Sequence, residues 1–215
     1  MHCAHLQVSG DKMSKSLGNI ARVSELLAAG ADPRALRMAL ISAHYRTSLN
    51  YTPDSLAAAG AAISRLDAFQ TALRARVAGG TAGSADADAS AQTIATSSWD
   101  RFARSMDDDL AVPEALAALF DLVRDGNRAL DAGCSGSAAT VMLATLEQID
   151  ETLALLPAAA ELPHGAAELL EARRAARAAK SWSDSDRLRD ELAALGVVVE
   201  DGRDGQRWRI GGVGE

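Results

Sequence analysis

The residues with the clearest chemical potential are two lysines three positions apart, Lys12 and Lys15. Small hydroxyl residues lie beside them, and Gly10 and Gly18 bound the segment. A loop of this composition can bend around a polyphosphate and present two cations together with several backbone N–H groups. Positive charge at the β- and γ-phosphates stabilises pyrophosphate as it leaves in an in-line displacement. By residue type alone, a solvated loop without a ligand is the more common explanation.

The carboxyl-terminal tail holds a second candidate group, formed by Arg177, Trp182, Asp186 and Asp201. Trp182 lies at a break between two predicted helices, and Asp186 follows one turn later on the same side. Single-stranded RNA bases are recognised by stacking on aromatic rings or Arg planes and by hydrogen bonds to their Watson–Crick edges. Residue types alone favour a simpler alternative, in which Trp182 anchors a core and the aspartates cap a helix and a turn.

The elements that must position these residues are predicted to be mainly helices. Hydrophobic residues make up 48% of the chain and aromatic residues only 4%, so most apolar residues are the strong helix formers Ala and Leu. Asp32-Pro33 and Thr52-Pro53 each pair an N-cap residue with a first-turn proline. Helices are predicted at about 23–29, from 33, and at about 53–77, 97–106, 113–130, 137–156, 165–179 and 183–195.

Strands are predicted only near the two ends of the chain. Weak alternation over residues 2–8 indicates a strand before the lysine segment. Val197–Glu200 and Gln206–Ile210 flank a turn-rich stretch and predict a β-hairpin. Residues 78–97 have almost no large apolar group, which predicts a mobile linker. We expect a short Gly/Ser replacement of this linker to leave the melting temperature nearly unchanged.

Composition and charge exclude several classes of protein. No long uncharged apolar run is present, so no membrane span is predicted, and the start lacks the features of a signal peptide. Cys3 and Cys134 cannot form a disulfide framework, which fits a reducing, cytoplasmic setting. The net charge is −7, but residues 1–50 carry six Lys/Arg against three Asp/Glu, and residues 171–215 carry nine of each. The ends therefore remain compatible with phosphate or RNA.

Several motifs in order resemble the cysteinyl-tRNA synthetases, a family of class I aminoacyl-tRNA synthetases. The segment Lys12–Asn19 reads Lys-Met-Ser-Lys-Ser-Leu-Gly-Asn and contains the class I lysine signature. The segment Asp32–Arg37 resembles Asp-Pro-x-x-Leu-Arg, and Ser42–Tyr51 is close to Ser-Ala-His-Tyr-Arg-Ser-Pro-Leu-Asn-Tyr. The segment Met106–Leu116 resembles Met-Asp-Asp-Asp-Phe-Asn-Thr-Pro-Glu-Ala-Leu, with Ala111-Val112 departing from Asn-Thr, and the tail from 180 to 209 also matches.

The resemblance implies ATP with Mg²⁺ at the lysine segment, bound by Lys12, Met13, Ser14, Lys15 and Ser16. In the family this loop stabilises the transition state of amino-acid adenylation, so Lys12 and Lys15 are the implied catalytic residues, with Lys15 the more critical. The family's His-Ile-Gly-His motif and its Cys/Cys/His/Glu zinc ligands lie upstream and are not found here. Zinc is therefore expected only in the missing amino-terminal catalytic part, with no metal in this chain, and the isolated chain is expected to be inactive.

The resemblance also implies the tRNA for cysteine as the macromolecular partner. Its anticodon, GCA, would be read by Arg177, Trp182, Asp186 and Asp201. Cysteine itself would bind the missing catalytic core. We expect a cytoplasmic monomer without membrane contact.

The expected fold is mainly α, a helical bundle of the class I anticodon-binding type. A strand with the lysine loop precedes the bundle, and a small α/β hairpin subdomain follows it. Residues 1–50 would be the end of the catalytic domain with connecting helices. Residues 51–160 would be the anticodon-binding bundle, with 78–97 as a flexible linker. Residues 161–215 would be the anticodon-reading subdomain.

Two other functions stay open. One is a non-catalytic tRNA-binding module. The other is the related ligase that joins cysteine to an amino-sugar inositol in mycothiol synthesis and shares the lysine loop. The tail discriminates against the second, since a ligase of small molecules needs no anticodon reader.

Three further clusters have weaker claims to function. His2, Cys3 and His5 lack a fourth ligand, and adjacent strand residues point to opposite faces. Residues 107–109 could hold Mg²⁺, but carboxylates before a proline-started helix more often stabilise the helix N-terminus. Residues 44–46 could contact a tRNA acceptor stem or pack between the lysine loop and the bundle.

Overall fold

A computed structural model of the chain describes residues 4–14, 19–20, 22–157, 163–202 and 205–210. The chain divides into two compact units, Met1–Pro157 and Ala158–Glu215. Helices predominate, which confirms the mainly α prediction. In chain order the elements are β1 (Leu6–Val8), β2 (Asp11–Lys12), α1 (Val23–Ala28), α2 (Pro33–Ile41), β3 (Leu49–Tyr51), α3 (Pro53–Gly79), α4 (Ala85–Asp107), α5 (Val112–Asp131), α6 (Gly136–Leu153), α7 (Ala166–Ala178), α8 (Trp182–Ala194), β4 (Val197–Gly202) and β5 (Gly205–Ile210).

Local sequence determines the starts of α2 and α3, as predicted. The side chain of Asp32 accepts a hydrogen bond of 2.7 Å from the backbone N–H of Arg34. At α3, Thr52 Oγ1 accepts from the N–H of Ser55 and Ser55 Oγ accepts from the N–H of Thr52, both at 3.0 Å. These bonds satisfy donors that the first turn of a helix leaves without an intrahelical partner.

A three-stranded sheet in the order β2-β1-β3 carries the lysine segment. Strand β1 pairs antiparallel with β2, with Gln7 opposite Lys12, and parallel with β3, with Leu6 opposite Leu49. The parallel strand β3 follows α1 and α2 in the chain, so the sheet pairs residues that are far apart in sequence. Lys12 therefore sits on a hairpin whose other strand is held by the chain just before α3.

The tail unit combines α7 and α8 with the hairpin of β4 and β5. Its buried apolar residues include Ala166, Leu170, Leu188, Leu192 and Val197. The two strands pair antiparallel, with Val197 opposite Ile210. The predicted hairpin is confirmed, and its strands reach further toward the turn than expected, to Gly202 and Gly205.

The core of the larger unit is formed mainly by α3, α4, α5 and α6. Leu66, Phe69 and Leu73 of α3 are almost completely buried in it. The ring of Phe69 lies directly against Gly126 of α5, where an added Cβ would be 2.5 Å from Phe69 Cζ. Gly126 is therefore required by close packing between helices, although a glycine inside a helix carries an entropic cost.

We expect Gly126→Ala to destabilise the protein by about 1–3 kcal/mol, because overpacking forces a rigid buried ring to move. Gly60→Ala is the matched control. Gly60 lies inside α3 with open space around the position of a Cβ, so alanine there should stabilise the helix by about 0.5–1 kcal/mol. Urea unfolding of both variants measures the difference. Equal stability of the two would contradict the packing of Phe69 on Gly126.

The predicted linker at 78–97 is wrong, because most of it is helical. Helix α3 runs to Gly79, and α4 begins at Ala85 after the N-cap Ser84, whose side chain accepts from the N–H of Ala87. Ala87, Ala91 and Ala95 recur every fourth residue and are buried. The prediction failed because it took the lack of large apolar groups to mean that the segment has nothing to bury. A row of alanines can be buried, since small side chains allow two helices to approach closely.

The start of α4 is also anchored to the start of α6. Asp88 Oδ1 accepts a hydrogen bond of 2.6 Å from the backbone N–H of Ser135. A Cβ added at Gly83 would lie 2.1 Å from that same nitrogen. The expectation that a Gly/Ser linker could replace this segment is therefore withdrawn.

None of the described helices is both long and apolar enough to cross a membrane. No group of three or more His, Cys, Asp or Glu residues in the described part of the chain is placed to hold a metal ion.

Candidate functional site

The lysine loop is closed at its base by Asn19. The Asn19 side chain accepts a hydrogen bond of 2.9 Å from the N–H of Ser14 through Oδ1. It donates one of 3.2 Å from Nδ2 to the carbonyl oxygen of Lys12. Lys12 is exposed at the end of β2, with Met13 and Ser14 directly after it. Lys15 and Ser16 lie outside the described residues.

Asn19 is a residue whose role the sequence did not predict. A side-chain amide that both donates and accepts can join the two ends of a loop without a charge. A second asparagine supports the same hairpin from β3, because Asn50 Oδ1 accepts a hydrogen bond of 2.9 Å from the N–H of Gly10. Asn19 thus holds the chain where it leaves β2, and Asn50 holds the turn between β1 and β2.

Residues 44–46 converge on Asp109, in the turn between α4 and α5. The hydroxyl of Tyr45 donates to Asp109 Oδ1 at 2.6 Å, and Arg46 Nη2 donates to the same oxygen at 2.9 Å. His44 Nε2 lies 3.1 Å from the backbone oxygen of Asp109. Asp109 and the following Leu110 both have positive φ, 54° and 53°, so the turn is held in a conformation unfavourable for residues with a Cβ.

The expectation that residues 107–109 favour a helix N-terminus needs correction at Asp109. Asp107 ends α4, and the N-cap of α5 is Ala111, which makes no side-chain cap. The carboxylate of Asp109 is instead bound by Tyr45 and Arg46. The backbone carbonyl oxygen of Tyr45 also accepts a hydrogen bond of 2.8 Å from the N–H of Ala4, two residues before β1. The cluster therefore links the bundle to the sheet that carries the lysine loop.

The hydrogen bond from Tyr45, assisted by the charge of Arg46, lowers the pKa of Asp109. A carboxylate with a depressed pKa stabilises the fold above its unfolded pKa of about 3.9, and this contribution is lost as the pH falls through the folded value. Asp109→Asn should therefore lower the melting temperature at pH 7, and the difference from the parent should shrink below about pH 4. Asp108→Asn, in the same turn, is the control. A difference that persists at low pH would contradict the ionic role of Asp109.

The tail brings three of the four candidate reader residues together. The guanidinium carbon of Arg177 lies 5.6 Å from the ring centroid of Trp182, in a cation–π arrangement. Arg177 Nη1 is 3.0 Å from Asp201 Oδ2. Trp182 begins α8 and is 57% exposed. Its exposure contradicts the alternative in which the indole anchors a core.

Asp186 lies one turn along α8 from Trp182 and is exposed. Its carboxylate is 3.3 Å from Arg189 Nη2, within the same helix. Arg189 also contributes to lowering the pKa of Asp201, although the hydrogen bond from Arg173 is the largest cause. Asp186 therefore lies beside an arginine of α8, whereas Asp201 is acted on by arginines of both α7 and α8.

Arg173 is a second residue that the sequence analysis missed. It is 1% exposed, and its guanidinium binds both carboxylate oxygens of Asp201, at 3.0 and 2.9 Å. The signal was present in the sequence, because Ala166, Leu170 and Arg173 lie at helical spacing on one face of α7. An arginine at a core position of an amphipathic helix predicts a buried acidic partner.

Three protein-family models match the chain. Residues 1–61 match the catalytic domain of class I (C) tRNA synthetases, and residues 101–157 match the DALR domain. Residues 159–209 match the Cysteinyl-tRNA ligase anticodon binding domain.

The chain is also similar to curated proteins named Cysteine--tRNA ligase. It is 40% identical over 221 residues to that of Pseudomonas paraeruginosa, 39% to that of Azotobacter vinelandii, and 42% over 219 residues to that of Arthrobacter sp. strain FB24. Each match covers 98% of this chain but only 44% of the relative. The chain therefore spans less than half the length of these relatives.

Among solved structures, the LeuRS in a ternary complex with tRNA and LeuAMS from Agrobacterium radiobacter K84 superposes with a TM-score of 0.54. The match covers 70% of this chain and 21% of that one, at 19% sequence identity, so it is evidence about the fold alone.

The lysine motif and the match of residues 1–61 to the class I (C) catalytic domain indicate the class that this chain resembles, the class I aminoacyl-tRNA synthetases. The named relatives and the tail then identify the branch. The resemblance to the carboxyl-terminal part of the cysteinyl-tRNA synthetases, first indicated by the motifs, is confirmed along nearly the whole chain.

Proposed function

We propose that this chain acts as the carboxyl-terminal part of a cysteine–tRNA ligase. The complete enzyme would activate cysteine with ATP and transfer it to the tRNA for cysteine. The observation that carries the proposal is the 40% identity to Cysteine--tRNA ligases over 98% of the chain. A tRNA partner implies a cytoplasmic setting, and nothing in the proposal requires more than one copy of the chain.

In this proposal the lysine loop acts on the triphosphate of ATP, with Mg²⁺. A carboxylate oxygen of cysteine attacks the α-phosphorus, the bond to the β-phosphate bridge breaks, and pyrophosphate leaves. Lys12 and Lys15 would neutralise the charge that develops on pyrophosphate, and Met13, Ser14 and Ser16 would line the same loop. The closure of the loop by Asn19 supports this role, since a held loop loses less entropy on binding than a free one.

The described units support a division of labour along the chain. We assign residues 1–50 to the end of the catalytic domain, 51–160 to the anticodon-binding bundle and 161–215 to the anticodon-reading subdomain. The boundary between the compact units, after Pro157, lies close to the second of these divisions. The cysteine pocket and its zinc would belong to the part of the relatives that this chain does not span.

The tail would read the GCA anticodon through Trp182 and its neighbours. The exposed indole offers a stacking surface, Arg177 braces it, and the exposed carboxylate of Asp186 can accept from base N–H groups. Asp201 is already bound by two arginines, so a base must compete for its oxygens. We therefore assign direct base reading to Asp186 more than to Asp201.

The match of the tail to the Cysteinyl-tRNA ligase anticodon binding domain argues against a ligase of small molecules.

The test is binding of anticodon stem-loops to the 215-residue chain. We expect the GCA loop to bind more tightly than a loop with a changed anticodon. Asp186→Ala should reduce this preference by about 1–3 kcal/mol, the scale of a good base contact. Asp190→Ala, an exposed aspartate one turn further along α8, should leave the preference unchanged. Equal binding of both loops by the folded parent would refute anticodon reading by the tail.

A further inference from the structure

Among the described side chains of the tail unit, the most deeply buried charge is the guanidinium of Arg173, whose side chain is 2% exposed. Its Nη1 donates to Asp201 Oδ1 at 3.0 Å and to Gln206 Oε1 at 2.6 Å, and its Nη2 donates to Asp201 Oδ2 at 2.9 Å. Gln206 in turn donates from Nε2 to the carbonyl oxygen of Leu170, at 3.1 Å. Helix α7 and both hairpin strands thus hold this guanidinium in one position.

From Arg173 the contacts lead outward to the surface. Asp201 is bound by Arg173 on the inner side and by Arg177 on the outer side, where Oδ2 lies 3.0 Å from Nη1 of Arg177. Arg177 then packs its guanidinium over the indole of Trp182. Exposure increases from Arg173, whose side chain is 2% exposed, to the side chains of Asp201 and Arg177, at 36% and 38%, and then to Trp182, at 57%.

A purely structural role would not require this arrangement. Burying a guanidinium costs free energy that a well-packed apolar side chain would avoid. One nitrogen, Nε of Arg173, even lacks a hydrogen-bond partner among the described residues. Unlike an apolar residue, Arg173 holds the carboxylate of Asp201 by two parallel hydrogen bonds and so fixes the direction of that carboxylate.

We propose that Arg173 is a positioning residue for the RNA-stacking platform. It orients Asp201, Asp201 holds Arg177, and Arg177 keeps the indole of Trp182 in one orientation to receive an unpaired RNA base. The identity of the ligand rests on the proposed function, whereas the positioning of Trp182 does not. Pre-organisation of this kind increases affinity because the ring need not be ordered on binding.

The experiment uses the full chain with Trp99→Phe and Trp208→Phe, so that Trp182 is the only tryptophan left of three. In this background Arg173→Lys keeps the charge but cannot bind a carboxylate through a planar fork. We expect a red-shifted Trp182 emission, stronger quenching by acrylamide, and about 10-fold weaker binding of the GCA stem-loop. Arg174→Lys is the matched control, since the side chain of the adjacent Arg174 is 72% exposed and pairs with Glu171 of its own helix.

A second variant covers the case in which Arg173→Lys fails to fold. Asp201→Asn removes the charge that joins Arg173 to Arg177, and it should shift the Trp182 emission in the same way. When both single variants fold, the double variant should add no further shift, because the two residues act through one path. Folded variants with the parent's Trp182 emission and quenching would overturn the proposal. A parent that binds no stem-loop, with the emission shift intact, would refute the RNA function and leave the positioning role standing.

Discussion

Replacing Lys15 by alanine in the complete ligase should lower the rate of cysteinyl-adenylate formation by about 10²–10³-fold. The physical reason is that a cation at the leaving pyrophosphate interacts most strongly in the transition state, where negative charge accumulates. Cysteine binding should change little, because the lysine loop does not touch the amino acid in this proposal. The measurement is single-turnover adenylate formation, together with cysteine-dependent exchange of labelled pyrophosphate into ATP.

Lys180→Ala provides the control for this substitution. The chain's third lysine lies in the tail unit, outside the lysine loop, so the same loss of an ammonium there should leave adenylation unchanged. If Lys15→Ala forms adenylate at the parent rate, the loop has a structural role only, and the catalytic part of the proposal fails.

A comparably large effect on stability is expected from Ala91→Glu in α4. Ala91 is completely buried in the bundle core, so glutamate there must either bury a charge or separate the helices. We expect a loss of about 3–5 kcal/mol, since overpacking and the burial of an unpaired polar group add together. Urea unfolding followed by circular dichroism gives the free energy of unfolding for the parent and the variant.

The matched control is Ala89→Glu, two residues earlier in the same helix. Ala89 is exposed, so the same side chain there should change stability by no more than about 0.5 kcal/mol. This pair also decides between the helix and the linker interpretation of residues 85–97. In a mobile linker both substitutions would be equally harmless.

Much of the fold could be predicted because the relevant signals are local. The N-caps Asp32 and Thr52 act on backbone groups within three residues, so the starts of α2 and α3 follow from a few neighbouring side chains. The lysine motif and the tail motif are likewise contiguous or nearly so. Their resemblance to known sequences therefore indicates the branch of synthetases from contiguous residues alone.

The first thing that the sequence alone did not show is the helix at residues 85–97. The row formed by Ala87, Ala91 and Ala95 does not indicate by residue type which other helix it packs against. It becomes a core only when other helices of the bundle lie close enough to exclude water.

The same reason explains the missed and corrected site residues. Asp109 lies 64 residues from Tyr45, and Asp201 lies 28 residues from Arg173. Pairing of this kind is decided by the packing of separate elements, because a charge binds whichever opposite charge the fold brings within reach. Sequence therefore determined most of the helices, the starts of α2 and α3 and the motifs that carry chemistry. Tertiary packing decided that residues 85–97 form a core helix, which charges meet and which residues hold the motifs in place.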